Sequence, residues 1–323
     1  SNVSTNVDQG AAYVFVRSGT TWTEQIKLTA ADGAASDFFG DSVAIAGDTV
    51  IVGATEDTAG ANTQQGSAYV FVRSGNTWSQ EQKLTAGDGT AFDYFGFSVA
   101  LSGNTAVVGT LQDIGTNFQQ GSAYVFVRSG STWTQQQKLL ADDGAAGDSF
   151  GNSVSVMGDT IMLGAAGDTN GTNARQGSAY VFSRSGTTWT QQQKLTATDG
   201  GAEDSFGASV AITTDAAIIG SLGDTIGANT FQGSAYVFSP SVTVSGKVTT
   251  PTGLNLRNAV VTMTDSIGVK RTATTSTFGI FSFDNVSPGE TYLFTVASKR
   301  YRFSPQSLLI TDNISNVNFT GLE

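Results

Sequence analysis

The residues that could do chemistry in this sequence are aspartates, which recur in pairs with the pattern Asp-Gly-x-x-x-Asp. Two carboxylates in one short loop could contribute oxygen ligands to calcium, which takes roughly six to eight of them. Calcium is therefore the candidate cofactor, and its candidate ligands are Asp32, Asp37, Asp88, Asp93, Asp143, Asp148, Asp199 and Asp204. A second interpretation is that aspartate and glycine simply form turns, and that exposed acids keep a sparsely charged protein in solution.

Histidine and cysteine are absent from all 323 residues. Their absence excludes thiolate nucleophiles, disulfides, Cys/His zinc sites and every catalytic triad that depends on histidine. Carboxylate pairs could still perform acid–base catalysis. However, the acids recur in every repeat, whereas a catalytic site needs residues that break the repeat symmetry. The sequence therefore predicts a protein that is not an enzyme.

The formal net charge of −11 is unevenly distributed along the chain. Residues 1–240 contain 22 acidic and nine basic side chains, whereas residues 241–323 contain five acidic and seven basic ones. A strongly acidic region repels phosphate groups, so we expect neither nucleic acid nor an anionic membrane as a partner. No apolar stretch is long enough for a membrane helix, so we expect no membrane insertion, and we expect an export signal upstream of the sequence.

A repeat of 55 or 56 residues runs through the first three quarters of the chain. Three landmarks keep this spacing: a Gly-Ser-Ala-Tyr-Val-Phe segment, a tryptophan and a Phe-Gly pair. The tyrosines of the first landmark are Tyr13, Tyr69, Tyr124, Tyr180 and Tyr236. Landmarks that stay in phase indicate a repeat protein, in which each unit packs against its neighbours.

Each repeat contains four strand-like segments separated by turn residues. In the second repeat these segments are Phe95–Leu101, Thr105–Gly109, Ser122–Val127 and Trp133–Leu139. The inner segments are apolar on both faces, whereas the fourth alternates and places Trp133 and Leu139 on one side. This order predicts the four-stranded blade of a β-propeller, with a half-exposed outer strand. A β-solenoid usually has a shorter repeat, of roughly 20–30 residues.

The motifs Phe-Gly-x-Ser-Val-Ala, Val-Gly-Ala and Gly-Ser-Ala-Tyr-Val-Phe together resemble the FG-GAP repeat, across residues 9–239. FG-GAP repeats form the propeller blades of integrin α-subunits and of many bacterial surface proteins. The resemblance thus implies an all-β propeller that is secreted or at the cell surface, of bacterial type. Integrin-type blades often bind calcium between their first and second strands. Here that loop is only residues 46–49 and its equivalents, so the family's calcium ligands have no matching positions.

The repeat begins and ends within a blade, which gives four to five blades, three of them complete and two partial. The first partial blade has only third and fourth strands, from Gly10 to Leu28, and the last has only the first three, from Phe206 to Phe238. Trp22–Leu28 could serve as the missing fourth strand of the last blade and close the ring, although one third strand would then be surplus. The alternative is an incomplete propeller, as in a truncated gene product or an excised fragment.

Residues 240–323 form a second domain after the propeller domain of residues 1–239. Its apolar and polar residues alternate, which is typical of a β-sandwich, in the segments Val242–Val248, Ala259–Thr264, Gly279–Val286, Gly289–Val296 and Tyr301–Phe303. The Ser-Gly-Lys-Val start and the Gly-x-Phe-x-Phe-x-x-Val-x-x-Gly-x-x-Tyr core resemble the carboxypeptidase regulatory-like, transthyretin-like domain, a seven-stranded type of sandwich. That family implies a spacer or accessory module without peptidase activity.

The long loops define a candidate ligand face. In a four-stranded propeller blade, the loops between strands 2 and 3 and those between strands 4 and 1 emerge on the same face. Here these loops carry 15 of the propeller's 22 acids and a single base, Arg175. The candidate ligand contacts on this face are Asp57, Asp113, Asp168, Asp224, Phe92, Phe118 and Phe231.

Such a face predicts a non-enzymatic binding or adhesion module, secreted or at the cell surface. Its expected partner is an extracellular protein or a glycan, whose sugar rings could stack on the loop phenylalanines. Two alternatives stay open: a purely structural segment of a larger secreted protein and, less favoured, a propeller enzyme that acts on glycans.

Overall fold

A computed structural model of the protein describes residues 6–238 and 242–322. The chain divides into two compact units, Ser1–Phe238 and Ser239–Glu323. Strands, turns and loops make up the described residues, and no helix among them is long and apolar enough to cross a membrane. The domain boundary predicted at residues 239 and 240 lies outside the described residues.

Five antiparallel sheets of consecutive strands make up residues 6–238, the described part of the first unit. Three of them are complete four-stranded blades, called blades 1, 2 and 3 here, which confirms the predicted number. A two-stranded N-terminal half-blade precedes them and a three-stranded C-terminal part-blade follows them. The half-blade consists of β1 (Ala12–Ser18) and β2 (Thr21–Leu28), and blade 1 consists of β3 (Phe39–Ala46), β4 (Thr49–Ala54), β5 (Ser67–Ser74) and β6 (Thr77–Leu84). Blade 2 consists of β7 (Ser98–Ser102), β8 (Thr105–Thr110), β9 (Ser122–Ser129) and β10 (Thr132–Leu139), and blade 3 of β11 (Phe150–Met157), β12 (Thr160–Ala165), β13 (Ser178–Ser185) and β14 (Thr188–Leu195). The part-blade consists of β15 (Phe206–Ile212), β16 (Ala217–Ser221) and β17 (Ser234–Phe238).

Each complete blade presents an aromatic face to the preceding sheet and an aliphatic face to the following one. Between blades 1 and 2, Val70 and Leu84 of blade 1 pack against Tyr124, Phe126 and Trp133 of blade 2. All five side chains are buried. The same arrangement recurs between blades 2 and 3. Each blade therefore depends on its neighbours to cover its faces, as expected of a repeat protein.

The Phe-Gly pair joins neighbouring blades through the backbone. The N–H of Phe95 donates to the carbonyl of Gln65 in blade 1 at 2.7 Å, while the Phe95 ring lies edge-on to Phe126 in its own blade, 6.0 Å between centroids. The adjacent Gly96 has a φ of 95°, in the region that favours glycine. Its carbonyl oxygen lies so near Gly53 that a Cβ there would come within 2.1 Å of it. Glycine at both positions lets the blades stack closely.

The fourth strands differ from the prediction in one respect. Trp133 packs with residues of blade 1, whereas Leu139 packs with residues of blade 3, so the two lie on opposite faces of blade 2. A β-bulge between Gln135 and Gln137 adds one residue and inverts the alternation beyond it. The prediction that they share a side was therefore wrong, because strict alternation requires a strand without a bulge.

The two partial blades do not pair with each other. β2 pairs with β1, and β17 pairs with β16 only, among the described residues. The closure of the ring by Trp22–Leu28 is thus not formed. Both ends leave apolar side chains exposed, Phe15 and Trp22 at one end and Val237 at the other.

Within residues 242–322 the second unit has seven strands in two sheets, which confirms the seven-stranded type. The strands are β18 (Val242–Thr249), β19 (Val260–Thr264), β20 (Lys270–Thr274), β21 (Ile280–Val286), β22 (Glu290–Ala297), β23 (Gln306–Ile310) and β24 (Phe319–Thr320). One sheet has the order β21-β18-β24 and the other β20-β19-β22-β23, and both contribute to a single core that includes Phe281 and Phe294. Tyr301–Phe303 does not form the predicted strand. In this segment only Arg302 makes a β-bridge, to Leu322. Sequence reasoning missed β20, β23 and β24.

Candidate ligand-binding face

The second aspartate of each Asp-Gly-x-x-x-Asp pair closes its own loop. Asp37 accepts a hydrogen bond from the backbone N–H of Ala34 at 2.5 Å, and Asp148 accepts one from Ala145 at 2.6 Å. Asp93 and Asp204 make the equivalent contact, and all four carboxylates are buried. These aspartates therefore hold the loops between blades in shape.

The first aspartate joins a network at the top of each complete blade. In blade 1 the hydroxyl of Tyr69 donates to Asp32 at 2.9 Å and to Asp57 at 3.2 Å. Lys83, at the end of β6, places its Nζ 2.7 Å from Asp32 and 2.6 Å from Asp57. The ammonium also lies over the Tyr69 ring, 5.2 Å from its centroid. Asp57 accepts a further hydrogen bond from Ser67. One lysine thus lies between two carboxylates, where its positive charge offsets theirs.

The ionisation of the network follows from burial and hydrogen bonding together. Burial would raise the pKa of Asp32, but hydrogen bonds from Lys83 and Tyr69 outweigh it and lower that pKa. Burial would lower the pKa of Lys83, yet its bonds to Asp32 and Asp57 raise it. Burial and the charge of Asp57 raise the pKa of Tyr69. The pKa of Asp37 is raised, chiefly because burial disfavours its charged form.

Blade 3 repeats the tyrosine, the lysine and the two aspartates of this network. Tyr180 donates to Asp143 at 2.9 Å and to Asp168 at 3.2 Å. Lys194 lies 2.6 Å from each of these carboxylates. The repetition indicates that the network belongs to the blade architecture.

Blade 2 departs from the pattern at one position. Its tyrosine, Tyr124, donates to Asp88 at 2.6 Å and to the side-chain oxygen of Gln112 at 2.9 Å. Gln112 therefore occupies the place of Asp57, and its amide donates to Asp93 at 2.9 Å. Lys138 pairs with Asp88 alone, at 2.7 Å. Asp113 lies one residue beyond the position equivalent to Asp57, because the spacing from Tyr69 to Tyr124 is 55 residues.

The predicted ligand-face acids consequently divide into two groups. Asp57, Asp168 and Asp224 are buried and accept hydrogen bonds from tyrosines, so they do not face a ligand as predicted. Asp113 is exposed, and its carboxylate accepts the backbone N–H of Gln119 at 2.6 Å. Burial of Tyr69, Tyr124 and Tyr180 was predictable from the repeat, but the partners of their hydroxyls were not.

Sequence reasoning also missed the lysines of this face. The loops alone contain one base, Arg175, and its Nε lies 3.1 Å from a carboxylate oxygen of Glu203. However, the fourth strand ends where the loop to the next blade begins, so Lys83, Lys138 and Lys194 reach the loop aspartates. Their fixed position, directly before the last leucine of the fourth strand, was the available signal. The face is therefore less negative than the loops alone indicated.

No group of three or more acidic side chains that could hold a metal ion is present in residues 6–238 and 242–322. In blade 1 the ammonium group of Lys83 lies between Asp32, a candidate calcium ligand, and Asp57. In blade 3 Lys194 lies in the same way between the candidate ligand Asp143 and Asp168. Calcium binding stays a prediction.

The three predicted aromatic contacts are exposed on the loops. Phe92 is 58% exposed, Phe118 63% and Phe231 69%. Phe92 and Phe231 have φ values of 68° and 55°, which bulky side chains rarely adopt. Neighbouring repeats place Ser36 and Arg175 at the equivalent positions with the same left-handed backbone. The loops therefore fold without an aromatic side chain at these positions.

The stacked antiparallel four-stranded sheets, with one fixed tyrosine, tryptophan and Phe-Gly pair per repeat, define a protein of the β-propeller class. The FG-GAP repeat matches residues 22–71, 78–126, 133–182 and 189–238, and the chain belongs to the FG-GAP repeat family. Each matched segment joins the fourth strand of one sheet to the first three strands of the next. The carboxypeptidase regulatory-like domain matches residues 243–320.

No curated protein matches the chain in sequence. The crystal structure of Saccharomyces cerevisiae Sqt1 is similar over 88% of this chain and 78% of its own, at 11% identity and a TM-score of 0.36. A score that low carries no argument about fold or function.

Proposed function

We propose that this chain is a non-enzymatic extracellular binding module, whose loop face contacts a protein or glycan outside the cell. The observation that carries the proposal is the exposure of Phe92, Phe118 and Phe231 on loops that fold without them elsewhere in the chain. Exposed aromatic side chains are costly in water and frequently anchor binding partners. FG-GAP repeats typically occur in extracellular proteins, which supports this location.

The ion pairs of the loop acids bear on which kind of ligand the phenylalanines could bind. The aspartates at the tops of blades 1 and 3 are bound by lysine and tyrosine, so they offer few free oxygens to a partner. Exposed aromatic rings on a face whose carboxylates are neutralised suit a neutral sugar or an apolar side chain better than a cationic ligand. Asp113 is the exposed acid nearest in sequence to Phe118, and it can add a hydrogen bond at the edge of such a contact.

The test is a binding screen of the full chain against a panel of glycans and extracellular matrix proteins. The variant Phe92→Ser, Phe118→Thr, Phe231→Gln places at each position the residue of an equivalent loop. We expect at least one ligand for the unmodified chain, with a dissociation constant about tenfold weaker or more in the variant. The control is Ile267→Thr, an exposed apolar residue of the second unit.

Two outcomes would overturn the proposal. Equal binding by the variant would remove the aromatic side chains from the contact, and a consistent absence of ligands would favour a purely structural segment. Each measurement is repeated with calcium and with a chelator, so that a calcium requirement is detected in the same screen. Turnover of any glycan by the purified chain would instead support an enzyme.

A further inference from the structure

Three loops meet at one end of the second unit, which we call the tip. The tip consists of residues 250–259 between β18 and β19, residues 275–279 between β20 and β21, and residues 298–305 between β22 and β23. The N–H of Thr275 donates to the carbonyl of Ala259 at 2.9 Å, which links the first two loops. A Cβ on Gly321 would lie 3.1 Å from Tyr301 and 3.2 Å from Pro251, so the third loop lies near the first. The three loops therefore share one surface.

Large apolar side chains project from the turns of the tip. Leu254 is 69% exposed and follows Gly253, whose φ is 82°. Phe278 is 66% exposed and precedes Gly279, whose φ is 73°. Ile280, the first residue of β21, is 51% exposed. Glycines with positive φ mark tight turns, so Leu254 and Phe278 lie where the chain reverses and projects into water.

The tip carries four bases and no acid. The bases are Arg257, Lys299, Arg300 and Arg302, and all four are exposed. None of the four pairs with an acid in the described part of the chain. The acids of residues 242–322 lie outside the tip, at Asp265, Asp284, Glu290 and Asp312. The second unit is therefore polarised, with a cationic and apolar end.

The opposite end of the same unit has exposed apolar residues without this charge pattern. Ile267, in the turn between β19 and β20, is 85% exposed. Its turn begins with Asp265, whose carboxylate accepts the N–H of Ile267 at 3.1 Å and that of Val269 at 2.8 Å. Lys270 follows directly and is exposed. This end therefore provides matched positions for comparison with the tip.

We propose that the tip binds the surface of a lipid bilayer that contains anionic headgroups. Leu254 and Phe278 enter the boundary between headgroups and acyl chains, while the four bases contact the surrounding phosphates. Buried apolar area and attraction to anionic lipid act together in peripheral membrane binding. Each Lys or Arg near an anionic surface strengthens binding about fivefold. The expectation that no anionic membrane is a partner rests on the acidic residues 1–240 and does not extend to this unit.

A bilayer fits the tip because the tip projects and its charges have one sign. Leu254 and Phe278 stand on separate turns, and the space around Gly253 is open, so they do not line a groove for a peptide. A bilayer surface deforms around projecting side chains. Its phosphates also supply negative charge to bases spread over two loops. An acidic protein would instead have to place a carboxylate opposite each base.

Flotation of the full chain with lipid vesicles tests the proposal. One set of vesicles contains phosphatidylcholine alone, and the other contains equal parts of phosphatidylcholine and phosphatidylglycerol. We expect binding to the anionic set that weakens as salt is raised. Leu254→Ser with Phe278→Ser should weaken this binding about tenfold or more. Arg257→Gln with Lys299→Gln and Arg302→Gln should weaken it about a hundredfold.

The matched controls are Ile267→Ser and Lys270→Gln, which should leave binding unchanged. Equal loss in these controls, equal binding to the two vesicle sets, or no binding overturns the proposal. Self-association that the tip variants weaken, without vesicle binding, would overturn it in favour of an acidic protein surface. An unchanged unfolding temperature shows that each variant is folded. Failure here leaves the proposed function intact, because that function concerns loops of the first unit.

A fluorescence experiment tests which end of the unit contacts the bilayer. The protein has no cysteine, so Thr277→Cys and Ser266→Cys each introduce one site for an environment-sensitive dye. These exposed positions adjoin Phe278 and Ile267, which are kept. Anionic vesicles should shift the emission of the dye to shorter wavelength in Thr277→Cys and leave it unchanged in Ser266→Cys. No shift in either chain, or an equal or larger shift in Ser266→Cys, contradicts binding through the tip.

Discussion

Blades 1 and 2 each have a tyrosine and a lysine at equivalent positions, yet the lysine pairs with a different number of carboxylates in each. Lys83 pairs with both Asp32 and Asp57, whereas Lys138 pairs with Asp88 alone. Gln112 replaces the second carboxylate in blade 2 and still accepts the tyrosine hydrogen bond. The tyrosine contact is thus common to the blades, and the second ion pair is not. The difference indicates that these loop acids act as parts of the fold, because each is matched to a neighbouring donor.

Raising the pH tests the tyrosine hydrogen bonds that the blades share, and it should have the largest effect on the free energy of unfolding. The pKa values of Tyr69, Tyr124 and Tyr180 are raised by burial and by neighbouring carboxylates. These tyrosines stay protonated in the folded chain while unfolded ones ionise near pH 10, so their contribution to stability is lost as pH rises above that value. For three tyrosines the free energy of unfolding should fall by about 4 kcal/mol per pH unit.

The measurement is the urea-unfolding midpoint at a series of alkaline pH values, followed by tyrosinate absorbance. Tyr236 of the part-blade is less buried and has a pKa raised to about 12, so it should ionise before the other three. Ionisation of the buried tyrosines without unfolding would contradict the shared hydrogen-bond network.

Removal of the lysines tests the difference between the blades. Lys83→Met leaves two carboxylates without a cation, one of them buried, and should cost about 3 kcal/mol of unfolding free energy. Lys138→Met leaves only the half-exposed Asp88 and should cost about 1 kcal/mol. The check is a comparison of unfolding midpoints in urea. Equal losses would mean that the second ion pair contributes nothing to stability.

Exchange of the variable residue should produce the smallest effect. Asp57→Gln gives blade 1 the residue of blade 2, so it removes the carboxylate charge that raises the pKa of Asp37 and adds an amide donor beside it. The pKa of Asp37 should fall in the variant. A carboxyl group whose pKa is raised by folding destabilises the folded chain as the pH rises through that pKa. The Asp57→Gln chain should therefore lose less unfolding free energy at Asp37 than the unmodified chain does between acid and neutral pH.

The pKa of Asp37 is measured from the pH titration of its carboxyl ¹³C resonance. Asp113→Asn is the matched control, because Asp113 is exposed and lies outside the network. An unchanged titration of Asp37 in Asp57→Gln would mean that the two side chains do not interact.

The repeat spacing alone was enough to predict most of the fold. Tyr69 and Trp78 are buried between sheets, as their period required, and the blade count follows from the Phe-Gly pairs. The bulge after Gln135 was not predictable, because the extra residue leaves no mark in a strand of polar residues. In the second unit, β20 has the sequence Lys-Arg-Thr-Ala-Thr, which lacks the alternation that identifies a strand.

The candidate site was less accessible from sequence. Exposure of Phe92, Phe118 and Phe231 was expected because they lie in loops. The network of Tyr69 and Lys83 was missed, because it joins residues that are 12 to 51 positions apart. Pattern reasoning identifies which face a residue occupies, whereas a hydrogen-bond partner depends on how loops from separate strands meet.

The central claim is that the loop acids serve the fold while the loop phenylalanines do not. The unfolding temperature of the Phe92→Ser, Phe118→Thr, Phe231→Gln chain tests this most directly. We predict a temperature equal to or above that of the unmodified chain, because the variant removes exposed apolar surface and bulky side chains from left-handed backbone. A fall of several degrees, comparable to that of Lys83→Met, would show that the phenylalanines pack the loops and would contradict the account.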